Sequence, residues 1–219
     1  MRLLIAVTIT AASLVISGCS GTSLSKLPSL SAEQHPAERP QLNDITSQPI
    51  RDVLASAHDQ LKITTHYTQE YRVIPYPNGD MPPETGACTD VVIRAFRNAG
   101  VDLQKEVHDD MAANFSAYPQ KWGLAHTDTN IDHRRVPNLQ TFFTRKGKST
   151  RISSNGEDYK PGDVVTWDLD GKGMTHIGLV SNDWNASEKR YLIIHNIGGG
   201  VAEEDRLFDW KITGHYRYF

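Results

Sequence analysis

The chain has 219 residues, 38% of them hydrophobic and 22% charged, with a formal net charge of −3 and a pI near 6.3. That is enough chain for one domain with a real core. No Lys/Arg cluster stands out, which argues against nucleic acid as a partner and against a basic membrane-binding face.

At the N-terminus, Arg2 is followed by LLIAVTITAASLVI and then by Ser17, Gly18 and Cys19. A charged n-region, an apolar h-region and a small-residue cleavage region make residues 1–18 an expected export signal. The apolar run falls short of the about 20 residues a membrane span needs. Its end, ISGC, is similar to a bacterial lipobox, which implies that Cys19 is lipidated and holds the mature chain to a membrane. Ser20, where inner-membrane lipoproteins of Gram-negative bacteria carry Asp, implies the outer membrane. Residues 19–48, rich in Ser and Pro and without apolar periodicity, are expected to be a flexible tether.

An exported chain meets an oxidising compartment, where paired cysteines become disulfides. The chain has two cysteines, so lipidation of Cys19 leaves Cys88 unpaired. Such a residue is a small buried apolar group, half of an intermolecular bridge, or a working thiol.

The expected domain covers residues 49–219. From Pro49 the apolar residues Ile50, Val53, Leu54, Ala57 and Leu61 recur at helical spacing behind Ser47 as a candidate cap. Residues 71–87, dense in Pro and Gly, form a loop that ends at Cys88. A helix begins there, with Val91, Val92, Ala95, Phe96 and Ala99 as its apolar stripe and Gly100 as its stop. Asp102 can cap a second helix carrying Leu103, Val107 and Met111, and a third short helix follows Pro137. After Gly147 the period turns β-like in DVVTWDL, MTHIGLVS, RYLIIHNI and TGHYRYF. Helices first and antiparallel strands second predict an α+β fold, with the helices packed on the sheet.

A thiol in the first turn of a helix sits at the positive end of the dipole among free N–H groups, which favours thiolate. The same N–H groups can receive the oxyanion formed when sulfur attacks a carbonyl. For a base, His176 and His195 stand out, because both lie inside strongly β-forming runs where core packing poorly explains a polar ring. Adjacent antiparallel strands would bring them side by side, His176 taking the thiol proton and His195 orienting it. Asn196 should face the other side of its strand. HExxH is absent and no second usable Cys remains, so neither metal nor cofactor is expected. HNIGGG lacks the GK[ST] of a phosphate loop and reads as a flexible rim.

In order, GACTDVV, PGDVVTW, THIGLVS and IIHN resemble the motifs of NlpC/P60 cysteine peptidases. More closely, GACTDVVIRAFRNAG, VHDDM, NIDHRRVPNLQTFF, PGDVV, HIGLV, HNIGGG and ITGHYRYF resemble the DUF1287 family of bacterial exported proteins, over about residues 49 to 219. The resemblance implies a papain-like NlpC/P60 fold with Cys88 as nucleophile, His176 as base and His195 as the orienting third member. It also implies a substrate-side role for Tyr76, since the stretch to Gly79 resembles the Tyr and Gly that precede the Cys in that family. Ala87 replaces an Asp that holds a substrate amine in many members, so specificity should differ. Asp90 is expected to cap its helix or to touch substrate. Asp132, Arg134 and Arg135 precede a helix, and the Arg fork would bind either a substrate carboxylate or the protein's own acids. The function implied is a lipid-anchored cysteine hydrolase that cuts an amide through a thioester, in peptidoglycan peptides. The alternatives are an acyltransferase on the same fold and a non-catalytic envelope lipoprotein that binds wall peptides.

Overall fold

Helices form where apolar residues return every three or four positions, and the sheet forms where they alternate. The structure, a computed structural model, describes Gln41 and residues 44–219. The export signal, the lipidation of Cys19 and most of the tether lie outside the described residues.

Helix α1 (Gln48–Ile63) carries Pro49 in its first turn and Lys62 in its last, and buries Val53, Leu54 and Ala57. It starts within the stretch assigned to the tether, and the Ser47 side chain makes no capping hydrogen bond. Helix α2 (Cys88–Asn98) is buried over most of its length. Gly100, at φ +82°, then takes the left-handed conformation that ends the run. Helix α3 (Leu103–Ala113) is capped as expected, the Asp102 carboxylate accepting the N–H of Gln104 at 3.1 Å. Helix α4 (Val136–Arg145) follows a 3-10 turn at Asp132–Arg134.

Two short parallel strands, β1 (His66–Tyr67) and β2 (Thr85–Gly86), precede α2. The main sheet contains β3 (Val164–Asp168), β4 (Thr175–Asn185), β5 (Arg190–Asn196), β6 (Val201–Glu204) and β7 (Lys211–Tyr216). Its order is β6-β5-β4-β3-β7, and every neighbouring pair is antiparallel. The expected α+β arrangement of helices on an antiparallel sheet is therefore present. β4 runs on to Asn185, past the end of MTHIGLVS, with a register shift between Val180 and Trp184 that bends it there.

Alternation along the strands makes two apolar layers. Ile177, Leu179 and Ile194 face the helices and pack with Val91, Phe96, Phe142 and Phe143. Val165, Trp167, Val180 and Ile193 pack on the opposite face with Tyr159 and Leu207. Each fully buried large side chain contributes about 1.5–3 kcal/mol relative to exposure, so both faces of the sheet hold the fold. The pairing of β4 with β5 reaches Leu179 and Ile194 and stops. Beyond that point the Ile177 N–H of β4 is directed at Cys88, the first residue of α2.

Candidate active site

Cys88 is the first residue of α2, behind Ala87. The Asp90 Oδ2 accepts the Ala87 N–H at 2.6 Å, closing the first turn. Arg134 then forks onto both Asp90 oxygens at 2.8 and 3.0 Å, and its third nitrogen donates to the Glu70 carbonyl. From the sheet side, the buried Asn196 donates its amide to the Gly86 carbonyl at 2.9 Å. Asn196 thus faces away from His195, as its place on the strand required, and fixes the chain two residues before the sulfur. Asp90 caps the helix and pairs with Arg134, is buried, and does not border the cavity on Cys88.

Cys88 is 6% exposed. Burial pushes its pKa up to about 12, although the backbone N–H groups of Ile177, Thr89 and Cys88 itself are directed at the sulfur and oppose the rise. The expectation that the helix N-terminus yields a thiolate is corrected: three dipoles point the right way, but loss of water outweighs them. The resting group is a neutral thiol.

The imidazoles form a chain. His176 Nε2 lies 2.8 Å from His195 Nδ1, and His195 Nε2 lies 3.1 Å from a Glu204 carboxylate oxygen. His176 stands directly across from Trp167 in the β3–β4 register, so both rings occupy the sheet face opposite the helices, with the Trp210 ring at 6.0 and 6.2 Å. Burial, reinforced by His195, holds His176 down to about 3. Burial also lowers His195, against the opposing pull of Glu204. Among the described residues no hydrogen bond joins the sulfur to either ring. The connection is the main chain, because Ile177, whose N–H reaches the sulfur, follows His176 directly. With its Nε2 engaged, His176 has Nδ1 uncommitted, and neither His176 nor His195 borders the cavity that opens on Cys88.

A cavity of about 350 Å³ opens on Cys88, walled also by Tyr67, Lys121, Trp122, Arg134, Arg135 and Thr175. The Arg fork divides. Arg134 is spent on Asp90, whereas Arg135 lies over the Trp122 ring at 4.1 Å and pairs with Asp132 at 3.2 Å. Asp132 itself is buried, bonded to the Asp128 N–H, and does not border the cavity. Tyr76 is also elsewhere: 41% exposed, its hydroxyl 3.4 Å from Asp109 and its ring edge-on to His108. The tyrosine at the cavity is Tyr67, whose hydroxyl burial and the nearby Cys88 push up.

Tyr67 and Glu204 escaped the sequence analysis. Tyr67 sits on a two-residue strand, too short to show a period. Glu204 ends an edge strand, VAEE, whose acids carry no β signal. Among the described residues no group of three or more His, Cys, Asp or Glu is placed to hold a metal ion.

The model of a domain of unknown function, DUF1287, matches residues 54–218. An Escherichia coli (strain K12) protein named uncharacterized protein YijF is 50% identical over 184 residues, which make up 84% of this chain and 89% of that protein. A crystal structure of a Staphylococcus aureus protein described as similar to lipoprotein, NLP/P60 family, superposes with a TM-score of 0.40 at 12% identity, covering 79% of this chain and 42% of the other.

Proposed function

The chain belongs to the DUF1287 family, and on that premise we propose that it is a cysteine hydrolase of amide bonds in peptidoglycan peptides. Cys88 is the nucleophile, His176 the base through Nδ1, and His195 the residue that orients it. As sulfur bonds to the carbonyl carbon, the thiol proton passes to His176 and the carbonyl electron pair moves to oxygen, where the N–H groups of Cys88 and Thr89 can receive it. Collapse of that intermediate breaks the C–N bond, His176 returns the proton to the leaving amine, and water hydrolyses the thioester. The observation that carries this reading is the seat of the sulfur: at the opening of a helix, ringed by backbone N–H groups, bordering a cavity, one residue from a paired imidazole.

The neutral resting thiol makes this a general-base reaction, in which the proton leaves as the carbonyl is attacked. Catalytic hydrogen bonds are often long without ligand and tighten when substrate excludes water. The cavity wall includes Lys121, Arg134 and Arg135 and no Asp or Glu. With Arg134 paired to Asp90 and one Arg135 nitrogen to Asp132, Lys121 and the remaining Arg135 N–H groups are left to favour a peptide with a free carboxylate beside the scissile amide, as wall peptides have. The export signal and the Cys19 anchor expected at the N-terminus would hold the domain at the outer membrane, facing that polymer in the periplasm.

A second reading, a lipoprotein that binds wall peptides without cutting them, is favoured by the low exposure of Cys88 and the missing bond between its sulfur and His176. Digestion of purified sacculi separates the two. The parent should release soluble fragments, Cys88→Ala should release at least about 10³-fold less while keeping its circular dichroism and Tm, and mass spectra of the fragments should show new free carboxylates. Equal release by both proteins would remove Cys88 from the mechanism. Products in which the acyl group sits on a new amine would identify an acyltransferase.

A further inference from the structure

We propose that Glu204 selects the tautomers of the imidazole pair, so that His176 keeps its hydrogen on Nε2 and leaves Nδ1 bare. This makes it a positioning residue that acts through His195. The proposal rests on the reading of Cys88 and His176 as nucleophile and base.

Glu204 lies opposite Ile193 in the β5–β6 register, one diagonal step from His195 and on the same face. An ionised carboxylate only accepts hydrogen bonds, so the His195 Nε2 at 3.1 Å must carry the hydrogen. A neutral imidazole has one N–H, so His195 Nδ1 is then bare. The His176 Nε2 at 2.8 Å must therefore donate to it, which strips the hydrogen from His176 Nδ1. Without the carboxylate the opposite chain is equally self-consistent: His195 donates from Nδ1, His176 accepts at Nε2 and carries its hydrogen on Nδ1, where it cannot take a proton from sulfur. Two imidazoles in contact thus have two arrangements, and the group at the far end picks the competent one. During attack a single proton moves, from sulfur to His176 Nδ1, and the resulting imidazolium keeps its Nε2–H on His195.

The titratable groups facing His195 are His176 from β4, Glu204 from β6, and Arg206 and Asp209 from the segment between β6 and β7. Arg206 holds the other Glu204 oxygen at 3.5 Å and Asp209 at 2.7 Å, which steadies the carboxylate from outside. Glu204 is 35% exposed on an edge strand, while the ring it addresses is fully buried. Its removal should therefore disturb protonation far more than folding.

Full-length protein with ¹⁵N-labelled histidine tests this through long-range ¹H–¹⁵N imidazole spectra at pH 7.5, with peaks assigned by His176→Gln and His195→Gln. The parent should show both rings as Nε2–H. Glu204→Ala should mix the tautomers, lower kcat/KM on sacculus peptides by about 10- to 100-fold with Tm nearly unchanged, and move the acidic limb of the pH profile to lower pH, because Glu204 raises the His195 pKa. Glu204→Gln, which keeps an accepting oxygen, should recover part of the rate. Nδ1–H on His195 in the parent, or Glu204→Ala with parental tautomers and rate, overturns the proposal. A parent that cuts nothing yet shows the Nε2–H chain would sink the hydrolase reading and leave the tautomer assignment standing.

Discussion

Two carboxylate–imidazole pairs sit on the same sheet, Asp163 with His215 at one end and Glu204 with His195 at the other, and they differ in what lies beyond the ring. Asp163 is buried and accepts from His215 at 2.7 Å, from Arg217 at 2.6 and 2.8 Å, and from the Lys160 N–H at 2.8 Å. The far nitrogen of His215 ends on the Arg151 carbonyl at 3.0 Å, and its ring stacks on Tyr159. Every contact there is terminal, and the pair braces β3 against β7. In the other pair the far nitrogen of His195 meets a second imidazole, whose own far nitrogen is uncommitted. The same two residue types make a closed strut or an open-ended chain of rings according to what the distal nitrogen finds.

Asp163→Ala should produce the largest effect that this contrast foretells. Burial pushes the Asp163 carboxyl up, and His215 and Arg217 outweigh it to leave the group below the usual carboxylate range. Breaking such a network costs about 3–5 kcal/mol, so Tm should fall by roughly 10 °C, whereas Glu204→Ala should barely move it. Matching losses in the two variants would erase the distinction. Next in size, Asn196→Ala leaves the Gly86 carbonyl without its amide and should cost about 1–3 kcal/mol. It should also slow hydrolysis, since the chain ahead of Cys88 loses its tether; unchanged kinetics would show that α2 seats the sulfur unaided.

Acid should act on the sheet and on the turn ahead of α4. Burial holds His133 and His176 down to about 3, so between pH 6.5 and 3 the unfolded chain takes up protons that the folded chain refuses. Stability therefore falls as pH drops through that window. A Tm that stays level from pH 7 to pH 4 would mean that these rings titrate freely. Arg135→Gln should have the smallest consequence, a several-fold rise in KM for a carboxylate-bearing peptide with kcat nearly constant. An equal change for the carboxamide analogue would take Arg135 out of substrate recognition.

The helices were legible because their periodic apolar stripes also bury them: Val91, Val92, Ala95 and Phe96 mark α2 in the sequence and in the core. The histidines were legible as anomalies, polar rings inside β-forming runs. Glu204 was not, since β6 pairs because β5 offers it an edge, and VAEE carries no pattern of its own. Tyr76 and Tyr67 illustrate the same limit. Both precede Cys88 at plausible distance, and only the parallel pairing of β1 with β2 carries Tyr67 to the cavity and leaves Tyr76 beside α3. The Arg fork looked symmetrical in sequence, yet Asp90, 44 residues away, claims one arm of it. The charge state of the sulfur was misjudged for a related reason: a helix end shows in a local sequence, while the depth at which it is packed does not.

Burial of that sulfur also bears on durability. Peroxides and other oxidants attack thiolate and leave protonated thiol largely alone. If the proposed mechanism holds, a residue kept neutral by its surroundings and ionised only when a carbonyl arrives would resist drifting toward sulfinic acid wherever oxidants reach it, so the arrangement that slows each attack would preserve the protein between them.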